Sequence, residues 1–354
     1  MRLRRLSAFA AIVALAAACT PAATVGPTTG PSTGGTASAG PTANPFAGTT
    51  VNVVKAGDHA VDDTTIGHWI DALKTDYGIT INLNATDSAE TSLRAVVSGS
   101  ADAAVAMSLT GLVSLVQQSS TDVKLVAADT FASDYQIVSK ASITGVSDLT
   151  GKTEGISAPG DASELASHLC LNNQNFDYSS LKIVRIGGTS ARIAALLAGQ
   201  IDIGAAHIAD ALAGVAKSNG ALKILLDCGK VVGNYPVTGL VLSGAYISAH
   251  KDLVQVLVNE YVNAMRWAYD NKDQFLTEAA AWVPDSDPAD NMTSYDYFKT
   301  VGFWPLNGGI DLPSVETYLG YAAQLDVLTG KIPTTDTWVD DEFVTNYLAA
   351  NGSR

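Results

Sequence analysis

The sequence predicts an α/β protein with two doubly wound units in tandem and a mostly helical C-terminal third. Three observations carry this. Apolar strands alternate with helices from Val51 to Gly229, the pattern of a parallel sheet covered on both faces. The pattern restarts near Gln136. One unit is also written twice, LRAVVSGSADAAVAM at 93–107 and IAALLAGQIDIGAAH at 193–207. In each, a small-residue helix stops at a glycine (Gly99, Gly199), an aspartate follows (Asp102, Asp202), and an apolar run comes next.

Taken in order, TVNVVKA reads as a buried strand. DDTTIGHWIDALKTDYG is a helix with Asp62, Asp63 or Thr64 as its cap and Gly78 at its end. ITINLNAT, ADAAVAM and DVKLVAAD are strands, separated by the helices AETSLRAVVSG and SLTGLVSLVQQ. The second unit opens on the strand QIVSK, and SDLTGKTEGISA carries a loop into another. The helices ASELASHLCLNNQ, TSARIAALLAG and IADALAGVAKSNG then alternate with the strands LKIVRIGG, IDIGAAH and LKILLDCG. After NYPVTGLVLSGAYI the chain turns mostly helical, with LVQVLVNEYVNAMRWAYDN as its longest helix.

The 354 residues suit two domains, and 47% hydrophobic content is enough for a sizeable core. A formal charge of -14 argues against a nucleic-acid partner, because a phosphate backbone rewards clustered Lys and Arg. The start, MRLRRLSAFAAIVALAAAC, is basic, then apolar, then small, which is the layout of a signal peptide over 1–18. Its end resembles the lipobox of bacterial lipoproteins, with Cys19 as the lipidated residue. Ala16 stands where leucine is preferred, and a plain signal peptide with an incidental cysteine is the alternative. Residues 19–50 are rich in Thr, Pro, Gly and Ser, and no charge occurs between Arg5 and Lys55, so this stretch is expected to be a flexible tether. Together these features place the folded part outside the cytoplasmic membrane, anchored to it. Cys170 and Cys228 are free to pair in that compartment, but their apolar surroundings suit buried thiols equally well.

In doubly wound sheets, ligands bind beyond the carboxyl ends of the strands, so two such units facing one another would share a cleft. Met107 and Ser108 end one strand of the first unit, and Asp129 and Thr130 end another. In the second unit APGDAS opens a helix whose free amides suit polar or anionic groups, which singles out Pro159, Gly160 and Ser163. Gly188 and Thr189 form the next strand-to-helix turn, His207 mirrors Met107, and Trp304 offers a flat apolar wall.

VSDLTGKTEGISAPGDASELASHLC and VRIGGTSARIAALLAGQIDIGAAHIADAL resemble consecutive stretches of substrate-binding proteins of ABC importers. SGSADAAVAM resembles the equivalent part of their first domain. GAYISAHKDLVQVLVNEYVNAMRWAYDNKDQF and IPTTDTWVDDEFVTNYLAANG resemble the return helix and the closing segment. The subgroup binds nitrate, alkanesulfonates, taurine or thiamine pyrimidine precursors. The resemblance implies a periplasmic-binding-protein fold of type 2, with a hinge and a central venus-flytrap cleft. Domain 1 would hold 51–135 plus 238–354, and domain 2 would hold 136–237. The resemblance also places Gly57, Asp58 and His59 in the first ligand loop. Its partners would be a permease and an ATPase, and the binding protein is expected to be a monomer without a cofactor.

No arginine marks the expected strand tips, whereas Asp58, Asp129 and Asp161 lie near them. That favours a neutral or amine-bearing heteroaromatic ligand, such as a thiamine pyrimidine precursor, over nitrate, taurine or an alkanesulfonate. No nucleophile-elbow, P-loop or HExxH motif is present, and an enzyme is not expected. A synthase of the thiamine pyrimidine is a further alternative, and the absence of a cysteine cluster counts against it. A lipoprotein that senses its ligand for a receptor is another. Asp58, His59, Asp62, Asp63 and His68 fit no metal-ligand spacing, so no metal site is expected.

Overall fold

Two five-stranded sheets with the same strand order organise the chain in the computed structural model, which describes residues 44–119, 121–324, 328 and 330–354. The first sheet begins with β1 (Thr50–Ala56), β2 (Thr80–Thr86), β3 (Ala103–Ser108) and β4 (Val123–Ala132). These alternate with α1 (Thr64–Tyr77), α2 (Ala89–Ser98) and α3 (Leu109–Ser119). The second sheet contains β5 (Tyr135–Lys140), β6 (Thr153–Ile156), β7 (Lys182–Arg185), β8 (Ile203–His207) and β9 (Leu222–Asp227). Its helices are α4 (Ala162–Asn172), α5 (Thr189–Leu197) and α6 (Ile208–Lys217). The short α7 (Cys228–Val232) leads into β10 (Asn234–Ser243), which rejoins the first sheet. The C-terminal part is α8 (Gly244–Ala249), α9 (Lys251–Asp270), α10 (Lys272–Trp282), α11 (Pro288–Val301), α12 (Leu312–Gln324) and α13 (Glu342–Asn351).

The strand orders are β2-β1-β3-β10-β4 and β7-β6-β8-β5-β9. Each sheet is mixed rather than wholly parallel, because β10 and β5 run antiparallel to both neighbours. The cause is the route of the chain. Only Ser133 and Asp134 separate β4 from β5, so β5 starts at the carboxyl end of the first sheet and must run away from it. β10 starts in the same way after β9 and α7. The chain returns to the first sheet at Gly233, so the expected boundary at 237/238 falls inside β10.

The repeated unit folds alike in both sheets. α2 and α5 stop at Gly99 (φ 72°) and Gly199 (φ 74°), a left-handed conformation that glycine adopts without a Cβ penalty. The aspartates then clamp the start of the neighbouring parallel strand. Asp102 donates its amide to the Asn52 carbonyl (2.8 Å), and its carboxylate accepts the Asn52 amide (2.7 Å). Asp202 does the same with Thr153, at 2.8 and 3.0 Å, and also pairs with Lys140 at 2.7 Å.

The main core is built on both faces of the first sheet and continues beneath α4, while a smaller cluster under α5 and α6 includes Val138, Ile193, Leu196 and Ala211. Cys170 and Cys228 form a disulfide with Cα atoms 5.1 Å apart, which settles the pairing that the sequence leaves open. α10 has no counterpart in the sequence reading, because its apolar stripe is weak: only Phe275 and Ala279 are buried. The fold takes in residues 44–50, which the sequence assigns to the tether. Asn44 donates to the Tyr77 carbonyl at the end of α1 (2.9 Å), and Phe46 packs on the core. The expected signal peptide, Cys19 and most of the tether lie outside the described residues. No helix among the described residues is long and apolar enough to cross a membrane.

Candidate functional site

The carboxyl ends of the parallel strands carry most of the residues singled out by sequence. The loop after β1 is fixed from below. Lys55, 5% exposed, pairs with Asp63 at 2.6 Å and donates to the Asp58 carbonyl, also at 2.6 Å. Asp63 in turn accepts from the Ala60 amide (3.0 Å) and the Trp282 indole (2.5 Å). This cage leaves Gly57, Asp58 and His59 exposed, with the His59 ring 3.8 Å from that of Trp282.

Other expected contacts turn inward. Met107 is fully buried, and the Ser108 hydroxyl is bonded to Thr110 (2.7 Å). Asp129 is buried and accepts from the Ala106 amide (3.1 Å), the Tyr261 hydroxyl (2.5 Å) and the Thr238 hydroxyl. Burial pushes its carboxyl up, against the pull of these hydrogen bonds. Thr130 is half-buried and pairs with Thr238 of β10. Trp304 is 4% exposed, and its ring packs among Phe275, Tyr295 and Phe298, so it belongs to the core of the C-terminal helices and forms no wall of the cleft.

In the second sheet, the turn before α4 satisfies its own amides. Asp161 accepts from the Ala162 amide (2.7 Å), Glu164 from the Gly160 amide (2.6 Å), and Ser163 from the Ser157 amide (3.1 Å). Two of these donors, the Gly160 and Ala162 amides, are therefore taken by carboxylates. At α5, Gly188 caps the helix without a side-chain bond, and the Thr189 hydroxyl accepts from Arg192 (3.1 Å). Arg192, 2% exposed, also donates to the carbonyls of Ala205 (2.7 Å) and Gly187, and burial lowers its pKa.

Between the sheets lies a cleft of about 860 Å³. Its lining comes from Ser88, Glu90 and Arg94 of the α2 region and from Gly111–Gln118 positions of α3 on one side. Pro159, Gly160, Asp161, Glu164, His168, Tyr178 and Arg185 line the other. Arg94 is paired with Glu90 at 2.8 Å. Arg185 is exposed and has no hydrogen bond or ion pair among the described residues, so the structure does bring an arginine to the strand ends where the sequence pattern shows none.

A second cluster sits at the crossings and is not part of that lining. The His207 Nδ1 lies 2.9 Å from Asp134 and 3.8 Å from Asp62, and Tyr135 covers the ring with centroids 4.4 Å apart. Burial disfavours charge on the imidazole, but Asp134 and Asp62 outweigh it and raise the His207 pKa to about 10. Burial pushes the Asp62 carboxyl up, partly offset by His207. Sequence reasoning found His207 by symmetry and read Asp62 as a helix cap. It missed Asp134, which occupies a two-residue link with no motif. The only signal was the restart of the pattern at that link.

A model of the family described as NMT1/THI5 like matches residues 75–275. Curated protein sequences give no match. Among solved structures, the chain is similar to the ligand-binding component of an ABC-type import system from Staphylococcus aureus with zinc bound, at 15% identity and TM-score 0.71, covering 84% of this chain and 99% of that one. It is similar to a putative periplasmic sulfonate-binding protein from Methylobacillus flagellatus, at 18% identity and TM-score 0.65, covering 85% and 94%. It is also similar to the periplasmic nitrate-binding protein from Synechocystis, at 12% identity and TM-score 0.65, covering 86% and 89%.

Proposed function

The chain belongs to the NMT1/THI5-like family, and from that premise we propose that it is the solute-binding component of an ABC importer. It takes a small molecule into the cleft between its sheets and hands it to a permease driven by an ATPase. One observation carries this reading: two sheets of identical strand order face a shared cleft lined from both sides. The two crossings, at 133–134 and at Gly233, are the hinge about which the sheets close on ligand. A lipid on Cys19 would anchor the protein as a bacterial lipoprotein, acting as a monomer.

The ligand is a neutral or amine-bearing heteroaromatic, such as a thiamine pyrimidine precursor. Asp161, Glu164 and Glu90 support this, since they bring carboxylates from both sides of the cleft. A second reading, an anion such as an alkanesulfonate, taurine or nitrate, is favoured by the guanidinium of Arg185, which has no hydrogen bond or ion pair among the described residues. The fold also occurs in a desulfurization enzyme. Both described cysteines are consumed in the disulfide, which supports binding over thiol chemistry.

The test is a thermal-shift screen followed by isothermal titration with an aminopyrimidine, taurine, ethanesulfonate and nitrate, in the presence of EDTA. A binder raises the melting temperature with its saturation. Aminopyrimidine binding that survives Arg185→Gln supports the first reading. Taurine, sulfonate or nitrate binding lost in Arg185→Gln supports the second. Absence of binding across the panel contradicts both.

A further inference from the structure

We propose that Asp62, Asp134 and His207 form a site for a divalent first-row transition metal of the zinc type, bridging the two sheets at the crossings. The three side chains come from three separate segments. Asp62 follows β1 in the first sheet, Asp134 lies in the link between β4 and β5, and His207 ends β8 in the second. One ligand atom from each lies within 4.8 Å of the other two.

The spacing suits a metal. Zinc holds imidazole nitrogen and carboxylate oxygen at about 2.0–2.2 Å, so neighbouring ligand atoms in a tetrahedral site stand roughly 3.4 Å apart. The observed separations from His207 Nδ1, 2.9 Å to Asp134 and 3.8 Å to Asp62, fall on either side of that value. The Asp62 side chain is only 19% exposed, yet among the described residues it accepts no hydrogen bond, and its nearest cation is His207 at 3.8 Å. A carboxylate so placed is under-satisfied, and burial without compensation is costly. Asp210 adds a further carboxyl on α6 facing His207. Lys55 acts on Asp62 and Arg192 on Asp210 from further away, but among the described residues no cation other than His207 lies within 4.0 Å of Asp62, which leaves this carboxylate open to a cation.

A metal fits better than an organic ammonium. The imidazole nitrogen between the carboxylates is a good ligand for a metal once its proton is displaced, whereas a protonated imidazole repels an ammonium. Three protein ligands leave a fourth position open. The site is distinct from the cleft lined by Pro159 and Arg185, so it stands or falls independently of the organic ligand.

The full chain is stripped with EDTA, freed of chelator, and titrated with ZnCl2 by calorimetry and with CoCl2 by visible absorption. We expect one equivalent of zinc, and cobalt bands of a site with nitrogen and oxygen ligands. His207→Gln and Asp62→Asn, from opposite sheets, each weaken binding by at least about tenfold, as expected for loss of a direct ligand. His250→Gln, away from the cluster, leaves it unchanged. Melting temperatures of the metal-free variants confirm that they are folded. Absence of saturable zinc binding overturns the proposal, as does binding that persists in both cluster variants. An aminopyrimidine that binds in EDTA while zinc does not bind removes the metal site and leaves the importer reading standing. Zinc binding without any organic ligand does the reverse.

Discussion

The two sheets are near copies in outline, and they differ where chemistry enters. Strand order and register align Asp102 with Asp202, Val53 with Glu154, and Met107 with His207. Asp129 near the end of β4 and Asp227 at the end of β9 also lie on corresponding edge strands. Each of these edge-strand acids accepts a tyrosine hydroxyl from the C-terminal helices (Tyr261, Tyr297) and a bond from the antiparallel strand beside it (Thr238, Gln136). Their charge states diverge. Burial drives Asp129 up, since its donors are all neutral. Asp227 is also pushed up by burial, but Lys230 and Tyr297 outweigh this and bring it down. The scaffold is thus symmetric in its hydrogen bonds and asymmetric in its cations.

The third strand shows the same division. β3 bends at Ala106 (φ 52°), opposite a register shift in β10, and Met107 packs into the core. β8 pairs with β5 without such a shift and carries His207 to the crossing. The first sheet spends this position on packing, and the second uses it for a charged cluster.

The largest expected effect comes from a feature that only the second sheet has. The Cys170–Cys228 bond closes a loop of 58 residues, and reducing it should cost about 3–4 kcal/mol in urea unfolding. A loss below about 1 kcal/mol would show that the strap adds little to the second sheet. Next, Asp129→Ala should cost about 3 kcal/mol, because it strands three buried donors. Asp227→Ala should cost about 1–2 kcal/mol, because Lys230 is exposed and the buried Gln136 keeps its bond to the Tyr297 hydroxyl. Equal losses would break the contrast between the two edge acids.

Glu154 is fully buried where the first sheet has Val53, and burial raises its pKa to about 7, opposed by a bond from Ser167. The folded state therefore holds this proton at pH values where the unfolded chain has lost it. Stability should fall as pH rises from about 4.5 to 7 and stay lower above that. Glu154→Gln should remove this slope, with a gain of about 2 kcal/mol at pH 8 and little change at pH 4.5. An unchanged pH profile in the variant would contradict the assignment. The smallest effects belong to the clamps. Asp102→Ala and Asp202→Ala should each cost about 1–2 kcal/mol, with Asp202 the larger because it also loses the Lys140 pair. The reverse ranking would show that Lys140 does not reinforce its copy.

Most of the architecture was legible because it rests on local patterns. The strand–helix alternation, the glycine stops and the twin aspartates all lie within short windows, whereas the clamp each aspartate makes on a distant strand does not. The antiparallel direction of β5 and β10 was not legible, since direction depends on which end of a sheet the chain leaves. The site was read less fully for the same reason. Pro159 and Gly160 lie in the cleft as strand-end logic expects. Arg185 was passed over because its position at a strand end shows only once β7 is known to stop there. Asp134 has no neighbours in sequence that mark it, and its partners lie 72 and 73 positions away in the chain's fold of Asp62 and His207 about the crossing.

The central claim is that one ligand is held by both sheets at once. Hydrogen–deuterium exchange, measured with and without the strongest binder from the panel, tests it most directly. The account predicts slowed exchange in two separate segments, 88–94 before and within α2 and 157–164 leading into α4, together with the crossing at 133–135. Protection confined to a single sheet, or to the C-terminal helices alone, would contradict it.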